Sequence, residues 1–412
     1  MSLVSPAVRK ATDTAVSRSR LPVLIAGAGI GGLACALSLA RRGFAVHVHE
    51  RRAVFEPEGA GIQIGPNGTR ILRSLGLLER LDMLAGKPDA IHVRNGVSGA
   101  TLARLPLGAW IAERHGAPYW VLHRQDLHGA LLAAVRAEPS ISLLMDSEII
   151  GVTETNDGVS VETRAATAGQ PTMGAGLIVA DGLRSRLRDE VFDVPPLAFA
   201  GRSAARAVID ADYVPEPLRE NAVGLWLAPR AHVVHYPVRG GRQTAVVFVR
   251  KDDTASDDWS TIVPQGWIDE VASALASEAR QLLAVPKQWK KWALYTLKPP
   301  PFWHAGRIAL LGDAAHPTLP FLAQGAVLAL EDAAVIARLV ANEDGDCRAA
   351  FSTYSLARCT RGRRVVAAAA QNGRAYHLDG IAARLRDATL ATVPPGLFMR
   401  RYDWVYGWRP GD

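Results

Sequence analysis

VLIAGAGIGGLACALSL, residues 23–39, sets an apolar run directly before a turn with almost no side chains. The run LPVLIA (21–26) suits a buried parallel strand, and GGLACALSLARRG (31–43) has helical spacing with a glycine stop. Gly27, Gly29 and Gly32 fall on G-x-G-x-x-G. The first serves a tight turn, the second, after Ala28, lets a pyrophosphate reach the backbone, and the third lets the helix pack on the strand. The helix N-terminus offers unpaired N–H groups to that anion. A second strand, FAVHVHE (44–50), ends in Glu50, and an acid there accepts hydrogen bonds from a ribose diol. The pattern predicts a dinucleotide-binding βαβ unit.

The rest of the chain bounds what this unit can belong to. At 412 residues, 49% hydrophobic and 21% charged, it can bury a sizeable core and divide into two packed domains. Lys and Arg number 47 against 40 Asp and Glu, a net charge of +7 without a basic tract, which argues for a solvated surface and against nucleic-acid binding. Cys35, Cys347 and Cys359 form no CxxC pair and no metal-ligand spacing. No metal is expected, and a reducing, cytoplasmic setting fits. Residues 1–20 carry four basic groups and no apolar run, so we expect a flexible tail and no secretory signal. No stretch approaches the roughly 20 apolar residues that cross a bilayer, so no stable membrane association is expected.

Two later stretches repeat the strand-then-polar-turn form. LIVADGLRSRLR (177–188) breaks at Asp181-Gly182, with Ser185 placed to cap a helix. GRIALLGDAAHPTLPFLAQGAVLALEDAAVIARL (306–339) is a strand ending at Gly312-Asp313, a proline-punctuated loop and a long helix of small residues. In open α/β sheets, ligands bind at such strand ends, so the three turns should converge.

With these motifs in view, the chain resembles the single-component FAD-dependent aromatic hydroxylases of the p-hydroxybenzoate hydroxylase fold, most of all the salicylate, 3-hydroxybenzoate and 6-hydroxynicotinate hydroxylases. The resemblance spans about 21–408. It rests on GAGIGG with Glu50-Arg51, GAGIQIGPNGTRIL (59–72), HRQDLHGAL (123–131), ADGLRSRLR, HVVHYPV (232–238), GDAAHPTLPFLAQGA (312–326) and RRYDWVYGW (400–408). It implies an α/β fold in which a Rossmann-like FAD domain (21–90, 121–194, 301–345) is interleaved with a mixed or antiparallel β-sheet substrate domain (91–120, 195–300), followed by C-terminal helices (346–412). It also implies NADH or NADPH as a transient donor, O2 as co-substrate, and hydroxylation of a small phenolic acid or heteroaromatic through a flavin C4a-hydroperoxide. A monomer or homodimer is expected.

The resemblance assigns roles by position. Glu50 would bind the adenosine ribose beside Arg51, and Arg124 would contact the cofactor. Asp313 would accept from the ribityl chain, and Asp181, with Arg184, would support FAD and the nicotinamide donor. Gln324, Gly325 and Ala326 would begin a helix aimed at the flavin pyrimidine, a placement that favours the anionic reduced ring. Gln63 would lie near the isoalloxazine, whereas Asn67 reads as a turn or cap residue.

Between 195 and 300 the pattern changes to short strands: RAVIDADY (206–213), AVGLWLA (222–228), HVVHYPV and TAVVFVR (244–250), with VRGGR (238–242) as a hairpin turn. This sheet should roof the flavin, together with a segment around 90–120 that holds Trp110, Tyr119 and Trp120. WIDEVASALASEARQLLAVP (267–286) reads as helical. Side chains alternate along a strand, so His232, Val234 and Tyr236 share one face, and the family's pocket carries a His and a Tyr with that spacing. His232 is our candidate base for a phenolic proton, its ordinary pKa of about 6.5 suiting that task, and Tyr236 would position the substrate. Pro320 and Phe321 would line the pocket, with Phe321 apolar where hydroxynicotinate-type enzymes carry a polar residue. His316 reads as structural, and Arg202 and Arg206 as solvated more readily than as partners of a substrate carboxylate.

Two other readings compete. One is a flavin dehydrogenase or oxidase that inserts no oxygen. The other is a hydroxylase of a lipophilic quinone precursor or isoprenoid, touching a membrane through WKKW (289–292).

Overall fold

The computed structural model describes residues 21–56, 60–165, 171–255 and 261–411; the expected tail at 1–20 lies outside them. Val23–Ala26 is buried along its length between two parallel neighbours, Val46–His49 and Gly176–Val179, with Val23 opposite both Val46 and Gly176. Ile308–Leu310 extends the sheet beyond Gly176–Val179, and Ile141–Leu144 extends it beyond Val46–His49. His304–Ala305 adds an antiparallel edge, making six strands. Covered on both faces, Val23–Ala26, Gly176–Val179 and Ile308–Leu310 read as continuous apolar runs. The helix Ile30–Ala40 buries nine of its eleven residues, Cys35 among them, because Gly325–Asn342 packs over its far side.

A second sheet has eight strands in the spatial order Thr261–Val263, Trp289–Thr296, Ala198–Asp210, Gln243–Lys251, Ala231–Val238, Ala222–Leu227, Ala90–Asn95, Thr101–Pro106. Its pairings are antiparallel except where Ala222–Leu227 meets Ala90–Asn95 in parallel, so the sheet is mixed. The turn at 239–242 joins two of its strands, with Arg239, Gly240 and Gly241 at positive φ. The stretch 267–286 folds as two helices, Gln265–Ala272 and Ser277–Ala284. The break falls where the Ala276 N–H donates to the Gly96 carbonyl at 2.7 Å, a tertiary bond that overrides helical spacing. Arg202 and Arg206 lie within a strand, and Arg206 is buried with its guanidinium 4.8 Å from the Trp292 ring, not solvated.

WKKW is not a surface patch. Trp289 is fully enclosed, and Lys291 is buried in an ion pair with Asp252 at 3.0 Å. Among the described residues no helix is long and apolar enough to cross a membrane.

The chain ends in helices Cys347–Tyr376, Gly380–Thr392, Pro395–Arg400 and Asp403–Tyr406. Asp346 starts the first by accepting the Arg348 N–H at 3.0 Å, a cap worth about 1 kcal/mol. That helix packs on Gly325–Asn342, but Gly380–Thr392 and Pro395–Arg400 pack against Thr101–Pro106 of the large sheet.

Candidate active site

Strand order decides what meets. Ile308–Leu310, Gly176–Val179, Val23–Ala26 and Val46–His49 are consecutive parallel neighbours, so Asp313, Asp181, Gly27 and Glu50 emerge along one edge. There the sheet opens into a cleft of about 530 Å³ lined by Gly27, Gly29, Glu50, Arg51, Arg124, Asp181 and Asp313.

The glycines divide the work by geometry. Gly27 has φ +100°, and a Cβ there would lie 2.6 Å from the Ala180 carbonyl oxygen. A Cβ on Gly32 would lie 1.9 Å from the Gly27 oxygen. At Gly29 a Cβ would meet nothing within 4 Å. Gly29 precedes Ile30–Ala40, which has no side-chain cap and no acidic residue in its first turn. A helix N-terminus with free N–H groups beside open space is an anion site.

Glu50 is buried, accepting the Ala28 N–H at 2.9 Å and the Arg52 N–H at 3.0 Å. A carboxylate offers about four lone-pair positions, so capacity remains for a diol. Asp181 opens onto the cleft, and the protein enclosing it on its other sides raises its pKa to about 6, against the pull of the Ser185 hydroxyl and of Arg188 and Arg51. Ser185 caps the following helix by accepting the Arg188 N–H at 3.0 Å. The Asp313 carboxyl opens onto the cleft with protein on its other sides, and this enclosure raises its pKa while His316 and Arg124 oppose the rise.

Gln324, Gly325 and Ala326 line neither the cleft nor the chamber described next. Gln324 turns inward, its Oε1 accepting from Asn67 Nδ2 at 2.9 Å, while the same nitrogen donates to Glu331 at 2.7 Å. Asn67 is therefore a bridge to the 325–342 helix and not a cap. What remains for a ligand is the helix start itself, where a Cβ on Gly325 would meet nothing within 4 Å.

A second cavity, about 370 Å³, lies between the large sheet and the C-terminal helices. Ile91, Val93, Leu105, Val223, Leu225 and Val234 give it an apolar wall, closed by Leu390, Phe398 and Met399. Gln63, Tyr119, His232, Pro320 and Phe321 also line it. Asp313 and Pro320 belong to one loop, so the same segment borders both cavities.

His232 is 3% exposed; its Nδ1 lies 2.9 Å from Nε2 of His377. Burial, then His377 and Arg202, hold its pKa well below the usual histidine value. Tyr236 shares its face but does not line the chamber: at the end of the strand its ring packs over Gly61, where a Cβ would lie 2.6 Å away, and Gln63 hydrogen-bonds its hydroxyl from the chamber side. Four tyrosines line the chamber, Tyr119, Tyr376, Tyr402 and Tyr406, and of these Tyr119 donates to Gln63 Oε1 at 2.6 Å. His235 faces the other way, over Gly224 and beside Trp226. His316 is fully buried against Asp332, beside Trp303.

Residues 20–369 match the family model described as FAD binding domain. The chain belongs to the FAD-binding-domain family. It is 36% identical to the 3-hydroxybenzoate 6-hydroxylase of Polaromonas naphthalenivorans over 95% of this chain and 97% of that protein. It is 36% identical to the 3-amino-4-hydroxybenzoate 2-monooxygenase PtmB3 of Streptomyces platensis, covering 96% and 98%. Klebsiella pneumoniae HpxO, solved with FAD and uric acid, superposes with a TM-score of 0.80 at 25% identity, covering 92% of this chain and 95% of that one. The open space at Gly29, the uncapped helix behind it, the carboxylates at three strand ends and the cations Arg51 and Arg124 form a donor set that fits FAD. Gly27, Gly29 and Glu50 on one side of the cleft and Asp313 on the other would be the residues to hold it.

The C-terminal wall of the chamber and His377 behind His232 were not expected from the sequence. Of the segment around 90–120 expected in the roof, Tyr119 lines the chamber and Trp110 and Trp120 do not.

Proposed function

We propose that this chain is an FAD-dependent aromatic monooxygenase that uses NADH or NADPH and O2 to add one oxygen atom to a small hydroxylated aromatic, with the hydroxybenzoates of its relatives as the first substrates to try. The observation that carries the reading is His232, a neutral imidazole on an apolar chamber that borders the same loop as the cofactor cleft. FAD, when bound, supplies the oxygen chemistry.

The chain's own residues do the rest. Gly27 to Gly29, Glu50, Arg51, Arg124, Asp181 and Asp313 would hold the cofactor, and the open helix start at Gly325 would offer its N–H groups to it. The apolar wall excludes water around the reacting ring. His232 accepts a hydrogen bond from the substrate hydroxyl and so enriches that ring in electrons. Tyr119 and Gln63 orient the substrate, with Tyr236 buttressing Gln63 from behind. Three free, buried cysteines support a reducing, cytoplasmic setting, and we take the working unit to be a monomer or homodimer.

The experiment is purification with bound flavin, then a panel of 3-hydroxybenzoate, 3-amino-4-hydroxybenzoate, salicylate and 6-hydroxynicotinate under labelled O2. Substrate-stimulated NAD(P)H oxidation with one labelled oxygen in the product supports the proposal. An oxidised product without label favours a dehydrogenase or oxidase.

A further inference from the structure

We propose that His377 is a positioning residue that fixes the tautomer of His232, leaving Nε2 of His232 as a bare acceptor for the substrate hydroxyl; this rests on the chamber being the hydroxylation site.

Nδ1 of His377 lies 2.8 Å from the Gly373 oxygen, and a carbonyl oxygen only accepts, so that nitrogen carries a hydrogen. A neutral imidazole has a single N–H, so Nε2 of His377 holds a lone pair. That lone pair lies 2.9 Å from Nδ1 of His232, which must donate. Nε2 of His232 is then the nitrogen left with a lone pair.

Both rings are held neutral. Burial lowers the His377 pKa to about 4, with Arg202 and Arg386 adding to the fall and the Gly373 bond opposing it; burial and His377 depress His232, with Arg202 adding to that. The other rings against His232 are Phe321 and Tyr376, each 5.4 Å away, and neither is a charge. Among the described residues no acid is recorded beside His232 or His377 that would stabilise a second proton.

His377 follows the last residue of Cys347–Tyr376, so a helix end on one element sets the hydrogen of a strand residue on another. When substrate binds, its O–H hydrogen is shared with Nε2. If the proton crosses, the O–H bond breaks, an Nε2–H bond forms, and the Nδ1–H bond to His377 is retained throughout. Without His377 the ring would be free to carry its hydrogen on Nε2, where it would oppose the substrate hydroxyl donor to donor.

The test uses holoenzyme labelled with ¹⁵N-histidine and long-range ¹H–¹⁵N correlation of the ring nitrogens, alongside kinetics with 3-hydroxybenzoate as probe. The wild type should show His232 with Nδ1 protonated and Nε2 bare. His377→Leu should mix or reverse these signals and lower kcat/KM by about tenfold, a part of the roughly 10² to 10⁴ that general-base catalysis supplies. His377→Gln, whose side-chain oxygen can accept the same bond, should keep the signals and recover most of the loss. A wild-type His232 protonated on Nε2, unchanged signals in His377→Leu, or altered signals with undiminished turnover would each overturn the proposal. If the wild type oxidises none of the panel, the monooxygenase reading has failed, and the ring-nitrogen spectra alone decide the role of His377.

Discussion

Nε2 of His316 and Oδ2 of Asp332 lie 2.6 Å apart, with neither side chain exposed to solvent. The same carboxylate accepts the Gly312 N–H at 3.1 Å and Arg358 Nε at 2.7 Å. Arg358 also reaches Glu331 at 2.8 Å, and Arg361 holds Glu331 from the other side. Burial alone would raise the Asp332 pKa, but His316 and Arg358 bring it down to about 2. The turn that presents Asp313 to the cleft is thus fastened, through one buried anion, to two long helices.

Asp332→Asn removes the charge that Arg358 and the Gly312 turn share. Breaking one partner of a buried ion pair costs about 3 to 5 kcal/mol. The urea midpoint should fall by a corresponding amount, and flavin fluorescence titration should show weaker FAD binding because Asp313 is no longer held. A variant as stable as the wild type would mean that the network does not fasten the turn.

Gly29 and Gly32 should separate ligand binding from folding. Gly29 has ordinary extended φ and ψ, and a side chain there would enter open space, so Gly29→Val should fold with near-wild-type stability and yet lose FAD. Gly32→Ala would drive a methyl group to 1.9 Å from the Gly27 oxygen and should destabilise the fold itself. Circular dichroism melts with flavin content of the purified protein read the two effects.

This division explains what sequence could disclose. Gly27 to Glu50 is a local pattern, and the strands leading to Asp181 and Asp313 carry the same apolar-then-polar signature, so their meeting on one edge follows from parallel-sheet rules. Tyr119 was legible only as a member of the roof segment, and nothing local marks His377. The distance from His232 to His377 is 145 residues, bridged by how the last helices wrap the sheet, and a single helix-end histidine has no periodic trace. Tyr236 misled because two-residue periodicity gives the face of a side chain but not what stands in front of it, here Gln63.

Tyr119→Phe and Tyr236→Phe should therefore differ. Tyr119 lines the chamber and donates to Gln63 at 2.6 Å. Loss of its hydroxyl leaves the Gln63 oxygen without that donor inside an apolar wall, at a cost of about 1 to 3 kcal/mol. We expect kcat/KM for hydroxybenzoates to fall about tenfold, mainly through KM. Tyr236 acts from behind Gln63, and its substitution should cost less. Steady-state kinetics on both variants give the comparison, and a larger loss at position 236 would return that tyrosine to the substrate site.

The pH dependence of stability follows from buried neutral histidines. Burial, aided by Arg94 and His92, lowers His235 to about 3, and burial lowers His49 to about 4 with His47 adding to it. The ordinary value in the unfolded chain is about 6.5. Below that pH the unfolded state takes up protons that the folded state refuses, so stability is present above about pH 6.5 and is lost as pH falls toward 4. Each fully buried histidine contributes on the order of 2 kcal/mol of this loss between pH 7 and pH 5. Urea midpoints at the two pH values should differ accordingly, and His235→Leu should shrink the difference by about one histidine's share. A midpoint that does not move between pH 7 and pH 5 would mean that these rings accept protons in place.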